Sequence, residues 1–482
     1  MSSVVLGLPK KLQPQPEAAL SPECFSQMSR IFPNNVSSVA GSATLSTAVG
    51  TYSNLTFPVQ EVRFSIPTGM GKNVFIDTSK SRLNFRVAMT NTTDSSGVYT
   101  GFLQSSAYSF WDRVQTINQN GVAIDDVVGL AQIMCQKNNF EFDSAERDSI
   151  FSYGFKGEQA VDGDSANILQ GHPIDNFTSP TVANTFYYDY SIPLPSSLLG
   201  LGARNFCPIG ALAALNVSLW TASVMPIVYA ISTAANTAIS LTCTLDNISI
   251  DLQYIYLDGK SASLLNLGKE YYVHSVTHRL STGTIAGNTS GQVSALIGLR
   301  GRSVRSLATR VSQAVSGTAG SANGVFDSQL IACSQLNYFL NGKTRVPNVV
   351  HNTVSAPTTV FEHSLQAAEA FSPDKTKYGG TYKSFCVAVA GHTGISKQSK
   401  WTLNSSTTTS AASLSAFCFA EDLRVVSTST ILDGADLSQS ASHYLECNFA
   451  AQNTNALNLS FISAQDIIYV IDLEMGTIEA RV

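Results

Sequence analysis

VQTINQNGVAIDDVVGLAQIM, residues 114–134, reads as a strand, a hairpin signal at Asn120-Gly121 and a short helix capped by Asp125 or Asp126, with Val127, Leu130, Ala131 and Met134 on its apolar face. Asn-Gly is informative because both residues tolerate the positive φ that a tight hairpin turn demands. Roughly 220 residues later, SQLNYFLNGKTRV (334–346) repeats the strand and the signal at Asn341-Gly342. A helix is expected after a longer loop, with Thr359 and Glu362 as a capping box and Phe361, Leu365 and Ala368 sharing one face.

The two halves also close alike. DNISIDLQYIYLDG (246–259) places Ile248, Ile250, Leu252, Tyr254 and Tyr256 on one side of a strand, and QDIIYVIDLEMG (465–476) does so with Ile467, Tyr469, Ile471 and Leu473. The same two features in the same order at nearly the same offset predict tandem copies of one unit, with the break in SASLLNLGKE, around residues 261–269. Elsewhere period-two alternation prevails: Val62, Phe64 and Ile66 against Arg63 and Ser65, then Leu83, Phe85, Val87 and Met89 against Asn84, Arg86 and Thr90. It returns in Leu445, Cys447 and Phe449 and in Leu457, Leu459 and Phe461. With Gly, Asn, Ser and Thr loops between such segments, the expectation is an all-β chain of two antiparallel β-sandwiches with a few short helices in the connections. An extended or partly disordered arm over residues 1–50 would precede a first sandwich at 51–262 and a second at 263–482.

Bulk composition agrees and narrows the function. A chain of 482 residues suits two domains of about 200 each. Only 13% of residues are charged, against roughly 25% in ordinary soluble domains, so much of the surface is polar but neutral and suited to burial between subunits. A net charge of -5 argues against coating nucleic acid through a general phosphate-neutralising surface. The eight cysteines are scattered singly, without a metal or disulfide spacing, and read as reduced, mostly buried small apolar residues. MSSVVLGLPKKLQPQP, with Lys10 and Lys11 after the apolar run, is the wrong order for a signal peptide, so the nine N-x-[ST] sequons read as a by-product of Asn/Ser/Thr-rich strands. Residues 205–245 carry no charge, yet Asn216 and Ser218 alternate with Leu215, Val217 and Leu219, which predicts buried sheet rather than a membrane helix.

The search for chemistry returns no catalytic, cofactor-binding or metal-ligating set. His274 and His278 have the spacing of a zinc-protease helix, but Ser275 stands where the general base belongs and the surrounding EYYVHSVTHRL reads as strand. TGMGKN (68–73) lacks the first glycine and the Ser/Thr of a phosphate loop, and Gly200-Leu201-Gly202 does not open a helix with a third glycine. DGDSAN (162–167) starts like a calcium loop but lacks the sixth-position glycine and has Pro173 at the twelfth position. The one compact basic run is Arg300, Arg302, Arg305 and Arg310, with Val304, Leu307 and Val311 spaced for a helix face. It reads as an intersubunit or solvated cluster, or as one facing phosphates of a genome or lipid inside a particle; Lys10, Lys11 and Arg30 raise the same question for the arm.

Three strings resemble one family. FWDRVQTINQNGVAIDDVVGLAQIM (110–134) resembles the strand, turn and helix element of the first jelly roll in double-jelly-roll major capsid proteins of icosahedral DNA viruses. YSIPLPSSLLGLGARNFCPIGALAALNVSLW (190–220) is similar to that family's later stretch, where a strand runs into a Pro/Leu/Gly loop and a turn at Pro208. AEDLRVVSTSTILDGADLSQSASHYLECNF (420–449) is similar to the strand, Gly-containing loop and strand near the end of that fold. The resemblance, over most of residues 55–482, implies two jelly rolls per chain and a non-enzymatic homotrimer acting as a pseudo-hexameric capsomer, made in the infected cell for the virion shell. Implied partners are further capsomers, minor capsid and penton proteins and an internal membrane surface, with no sequence-specific nucleic-acid binding and no cofactor. A minor capsid or vertex protein, or a secreted carbohydrate-binding β-sandwich, would instead be a monomer or short oligomer with an aromatic-lined groove; a β-sandwich hydrolase would gather polar side chains in a pocket.

Overall fold

Alternating apolar residues build strands whose inward faces are buried and whose outward faces are polar, as Val62, Phe64 and Ile66 against exposed Arg63 and Ser65 illustrate. The computed structural model describes residues 24–45, 52–91, 98–104, 107–134, 158–160, 168–178, 185–200, 206–232, 239–259, 261, 268–313, 333–344, 350–351, 419–424, 434–438, 442–449 and 456–481. Numbered in chain order, the first half contributes β1 (Phe25–Ile31), β2 (Val39–Leu45), β3 (Tyr52–Thr56), β4 (Glu61–Ile66), β5 (Val74–Asn91), β6 (Val98–Gln104), β7 (Trp111–Asn118), β8 (Ala123–Val128), β9 (Glu158–Ala160), β10 (Ile168–Thr178), β11 (Thr185–Pro193), β12 (Leu215–Thr221), β13 (Val224–Ser232) and β14 (Ile239–Tyr256). The second contributes β15 (Glu270–Ile285), β16 (Gly291–Leu296), β17 (Val304–Gln313), β18 (Gln335–Leu340), β19 (Lys343–Thr344), β20 (Val350–His351), β21 (Phe419–Asp422), β22 (Tyr444–Phe449), β23 (Leu457–Asp472) and β24 (Thr477–Arg481).

The pairing order shows the duplication directly. In the first half one sheet runs β4-β12-β7-β8 and the core of the other runs β11-β5-β14-β2; in the second half the sheets run β16-β22-β18-β19 and β15-β23-β17-β21. Let the core strands of each half be counted first to eighth, with β1 and β2 as two pieces of the first. Both small sheets then have the order second, seventh, fourth, fifth, and both large sheets place the eighth strand between the first and the third. Antiparallel strands exchanged between two sheets in this order form a jelly roll, and the chain makes it twice.

The halves differ in what they add. In the first, the connections after the first, third, fifth and seventh strands carry β3, β6, β9 with β10, and β13, which pair with one another and join the large sheet through Ser42 and Thr56. Within the stretch expected as an arm, β1 and β2 both pair with β14, so residues 25–31 and 39–45 belong to the first sandwich's large sheet. Between them Asn34 and Asn35 hydrogen-bond the backbone of β4, which occupies that edge much as a strand would. The uncharged stretch expected to be sheet contains β12 and β13 and runs into β14; no helix among the described residues is long and apolar enough to cross a membrane.

Both Asn-Gly signals mark chain reversals, but only the second is the two-residue turn with both residues at positive φ. Asn341 and Gly342 have φ of 52° and 75°, the left-handed pair of a two-residue hairpin between β18 and β19. Gly121 has φ of 75° and closes the β7–β8 turn, where Asn118 N–H donates to the Val122 carbonyl at 2.9 Å. The expected helix after it begins later than the sequence suggests: Asp125 and Asp126 lie in β8, paired with β7, and the helical turn covers residues 130–134. The second expected helix, at Thr359 and Glu362, lies outside the described residues.

Candidate functional site

Among the described residues a connected set of buried hydroxyls around one carboxylate lies at the seam between the sandwiches. β8, the fifth strand of the first, lies against β15, the first strand of the second, and β24 docks beside β7 and β8. Asp125 points inward from β8 and is 2% exposed. Its Oδ1 accepts from Thr277 Oγ1 on β15 at 2.7 Å, and its Oδ2 accepts from the Ser197 hydroxyl. Ser197 Oγ also bonds the Tyr469 hydroxyl on β23, and the Ser275 hydroxyl donates to the Ser197 carbonyl. Arg279 Nη1 donates to the Asp126 carbonyl at 2.8 Å, Asn118 Nδ2 to the Ile478 carbonyl at 3.3 Å, and Ala213 N–H to the Gly476 carbonyl at 2.9 Å. Burial, and then the charge of Asp125, push the Tyr469 phenol well above its ordinary pKa, so it stays a neutral hydroxyl.

Just outside this line Arg113 donates to Asp126 at 2.7 and 2.6 Å and lies 4.9 Å over the Trp220 ring. Burial alone would raise Asp126; the bonds from Arg113 and Gln115 and the charges of Arg113 and Arg279 bring it below the usual carboxylate value.

A hydroxyl bonded to both a carboxylate and a phenol has the parts of an activated nucleophile, but the surroundings assign it another role. Asp125, Ser197 and Tyr469 are all buried, and the adjoining cavity, lined by Val127, Leu130, Met134, Pro195, Ser197 and Thr277 among others, is about 30 Å³, the scale of a water molecule rather than a substrate. What the arrangement does is hold two domains in one orientation: each bond crosses the seam or positions a group that does, and leaving any of them unmade inside the protein costs free energy. Packing is equally tight beside it. Gly129 has φ of 73°, and a Cβ there would lie 2.1 Å from Leu280 Cδ2 across the seam. Gly129→Ala is therefore expected to cost about 2–4 kcal/mol from the left-handed backbone and the overlap, and adding Leu280→Ala should restore the overlap share. Denaturant unfolding of the single and double variants measures both shares.

No protein-family model matches the sequence, and no curated protein does. Solved structures match along the whole chain. The cryo-EM structure of the Sputnik virophage aligns over 100% of this chain and 93% of its own, with 14% identity and a TM-score of 0.53. VP54 of PBCV-1, a crystal structure fitted into a cryo-EM reconstruction of the virophage Sputnik, aligns over 97% of this chain and 99% of its own, with 13% identity and a TM-score of 0.50. The chain is a double jelly roll. The crystal structure of the mavirus major capsid protein also aligns, over 100% of this chain and 96% of its own, at 12% identity and a TM-score of 0.48.

The double jelly roll divides the basic run singled out in the sequence. Val304 to Gln313 is β17, a strand and not a helix, and Arg305 and Arg310 are buried within the second jelly roll, Arg305 3.7 Å from Asp466. Only Arg300 and Arg302, on the connection before β17, are exposed. The helical spacing misled because β17 is buried on both faces, which erases the period-two signature and leaves Val304, Leu307 and Val311 at chance helical intervals. Arg30 lies on β1 and holds Asp251 of β14 through two bonds of 2.8 Å. Lys10 and Lys11 lie outside the described residues. His274 and His278 lie on β15, the strand expected for them. Cys207, Cys243, Cys333 and Cys447 are buried free thiols; burial pushes Cys207 up to about 12, which keeps it protonated and unreactive.

The residues missed from sequence are Asp125 as a buried acceptor, and Ser197, Ser275, Thr277 and Tyr469. A weak signal existed: the inward positions of β15 run Tyr271, Val273, Ser275, Thr277, so two small hydroxyls take apolar places in an otherwise regular alternation.

Proposed function

We propose that this chain is a structural major capsid protein that trimerises into pseudo-hexameric capsomers tiling an icosahedral shell. The observation that carries it is the repetition: two sandwiches of identical strand order, locked side by side, so that each chain supplies two near-equivalent wall units and three chains supply six. Two further points support it. The fold is shared with the Sputnik virophage structure and with a PBCV-1 protein fitted into the virophage reconstruction. The polar, weakly charged surface suits extensive contacts between copies with little repulsion across them.

Its partners on this reading are further copies of itself, minor capsid and penton proteins where the lattice closes, and an internal membrane surface. Arg300 and Arg302 are the part of the basic run accessible to an acidic partner. The role is non-enzymatic and the place is the virion shell, assembled within the infected cell. Sedimentation of the purified chain tests the reading: the expected species has the mass of three 51.4 kDa chains, and a monomer under every assembly condition would overturn it.

A further inference from the structure

Two Asn-Gly steps lie among the described residues, both at exposed turn tips, and the fold holds them differently; a third, Asn323-Gly324, lies outside those residues. Asn341 is fastened: its Nδ2 donates to the Asp436 carbonyl at 2.8 Å and its backbone N–H to His443 Nδ1 at 3.3 Å. Asn120 is tied only through its backbone, whose N–H donates to Asn118 Oδ1 at 3.0 Å; its side chain makes no hydrogen bond among the described residues. The surroundings are open as well, since a Cβ built on Gly121 would meet no heavy atom within 4 Å. Asn118, by contrast, is buried and organises the turn. Its Oδ1 also accepts from Val122 N–H at 3.0 Å, its carbonyl accepts from Gly121 N–H at 3.0 Å, and its Nδ2 reaches across the seam to the Ile478 carbonyl at 3.3 Å.

We infer that Asn120 is a site of spontaneous deamidation, a modification by water from which the fold shields Asn341 and which slackens the Asn118 brace across the seam. An exposed turn tip opens at little cost, and opening frees Gly121 N–H from the Asn118 carbonyl. Once deprotonated, Gly121 N attacks Asn120 Cγ, unhindered because glycine has no Cβ. The new N–Cγ bond closes a five-membered succinimide as the Cγ–Nδ2 bond breaks, and Nδ2 leaves as ammonia. Water then opens the ring: at Cγ it gives aspartate, and at the main-chain carbonyl it gives isoaspartate, so one water is consumed for each ammonia released. Isoaspartate routes the chain through Cβ and Cγ. The extra methylene shifts Gly121 and Val122 away from Asn118, and the side chain that holds Ile478 loses the bonds that position it. At Asn341 the bond to Asp436 keeps the amide out of reach of Gly342 N. The inference stands apart from the capsomer reading.

The test holds the full chain in mildly alkaline buffer, samples it over time and maps its peptides by mass spectrometry, with isoaspartyl methyltransferase reporting isoaspartate. Folded protein is expected to convert Asn120 roughly tenfold faster than Asn341, a ratio set by which side chain is tied down. Protein in urea is expected to convert both at similar rates, since the contrast belongs to the fold and not to the dipeptide. Equal rates in the folded protein, faster loss at Asn341, or an Asn120 that stays intact overturns the inference. Asn120→Gln, whose longer side chain closes the ring far more slowly, serves as the companion variant. Aged in parallel, it is expected to keep its unfolding midpoint while the aged unaltered protein shifts downward. Unaltered protein that carries isoaspartate at position 120 and still unfolds at its original temperature would overturn the link to the seam.

Discussion

Phe85→Ala is expected to destabilise the first jelly roll by about 3–5 kcal/mol, the usual cost of emptying a buried aromatic site that cannot collapse. Phe85 is the hub of the first sandwich's aromatic core. Its ring stacks on Tyr190 at 5.2 Å and meets Trp111 and Phe110 edge-on at 5.5 and 5.8 Å, so removing it strips contacts from three rings at once. These rings come from β5, β7, β11 and the short 3-10 turn before β7, which ties both sheets of the sandwich together. Thermal unfolding should fall by roughly 10 °C for a domain of this size. A fall of only a degree or two would mean that this cluster is not the core of the first jelly roll.

The second large effect lies at the seam. Asp125→Ala is expected to cost about 2–4 kcal/mol, because it removes both acceptors of a buried carboxylate and leaves the Ser197 and Thr277 hydroxyls without it. The signature distinguishes a seam from a core. Loss of the bridge should split a single unfolding transition into two, one for each jelly roll, since the residues removed couple the domains rather than fill either one. Asp125→Asn keeps the shape and one acceptor and should lie between the two. A calorimetric trace of Asp125→Ala that keeps one transition at the original temperature would show that the two jelly rolls are coupled elsewhere.

Much of this architecture was legible where one face of a strand is wet. β4, β5, β22 and the C-terminal end of β14 follow the alternation of their apolar residues, and both Asn-Gly signals sit where the chain reverses. Reading failed where strands are buried on both sides or meet another domain. β17 has no polar face to reveal its period, so Arg305 and Arg310 read as a helix surface when they are interior residues. Asp125 and Asp126 looked like helix caps because the sequence cannot show that a second domain supplies Thr277 and Arg279 as their partners across more than 150 residues of chain. The seam itself is a long-range product of duplication, and its hydroxyls carry no local motif.

Imaging of the purified oligomer tests the central claim most directly. Two-dimensional class averages from cryo-electron microscopy are predicted to show a particle of three-fold symmetry with six upright density walls in a near-hexagonal outline, two from each chain. Particles of one or two walls only, or an oligomer whose averages lack that six-part outline, would contradict the account.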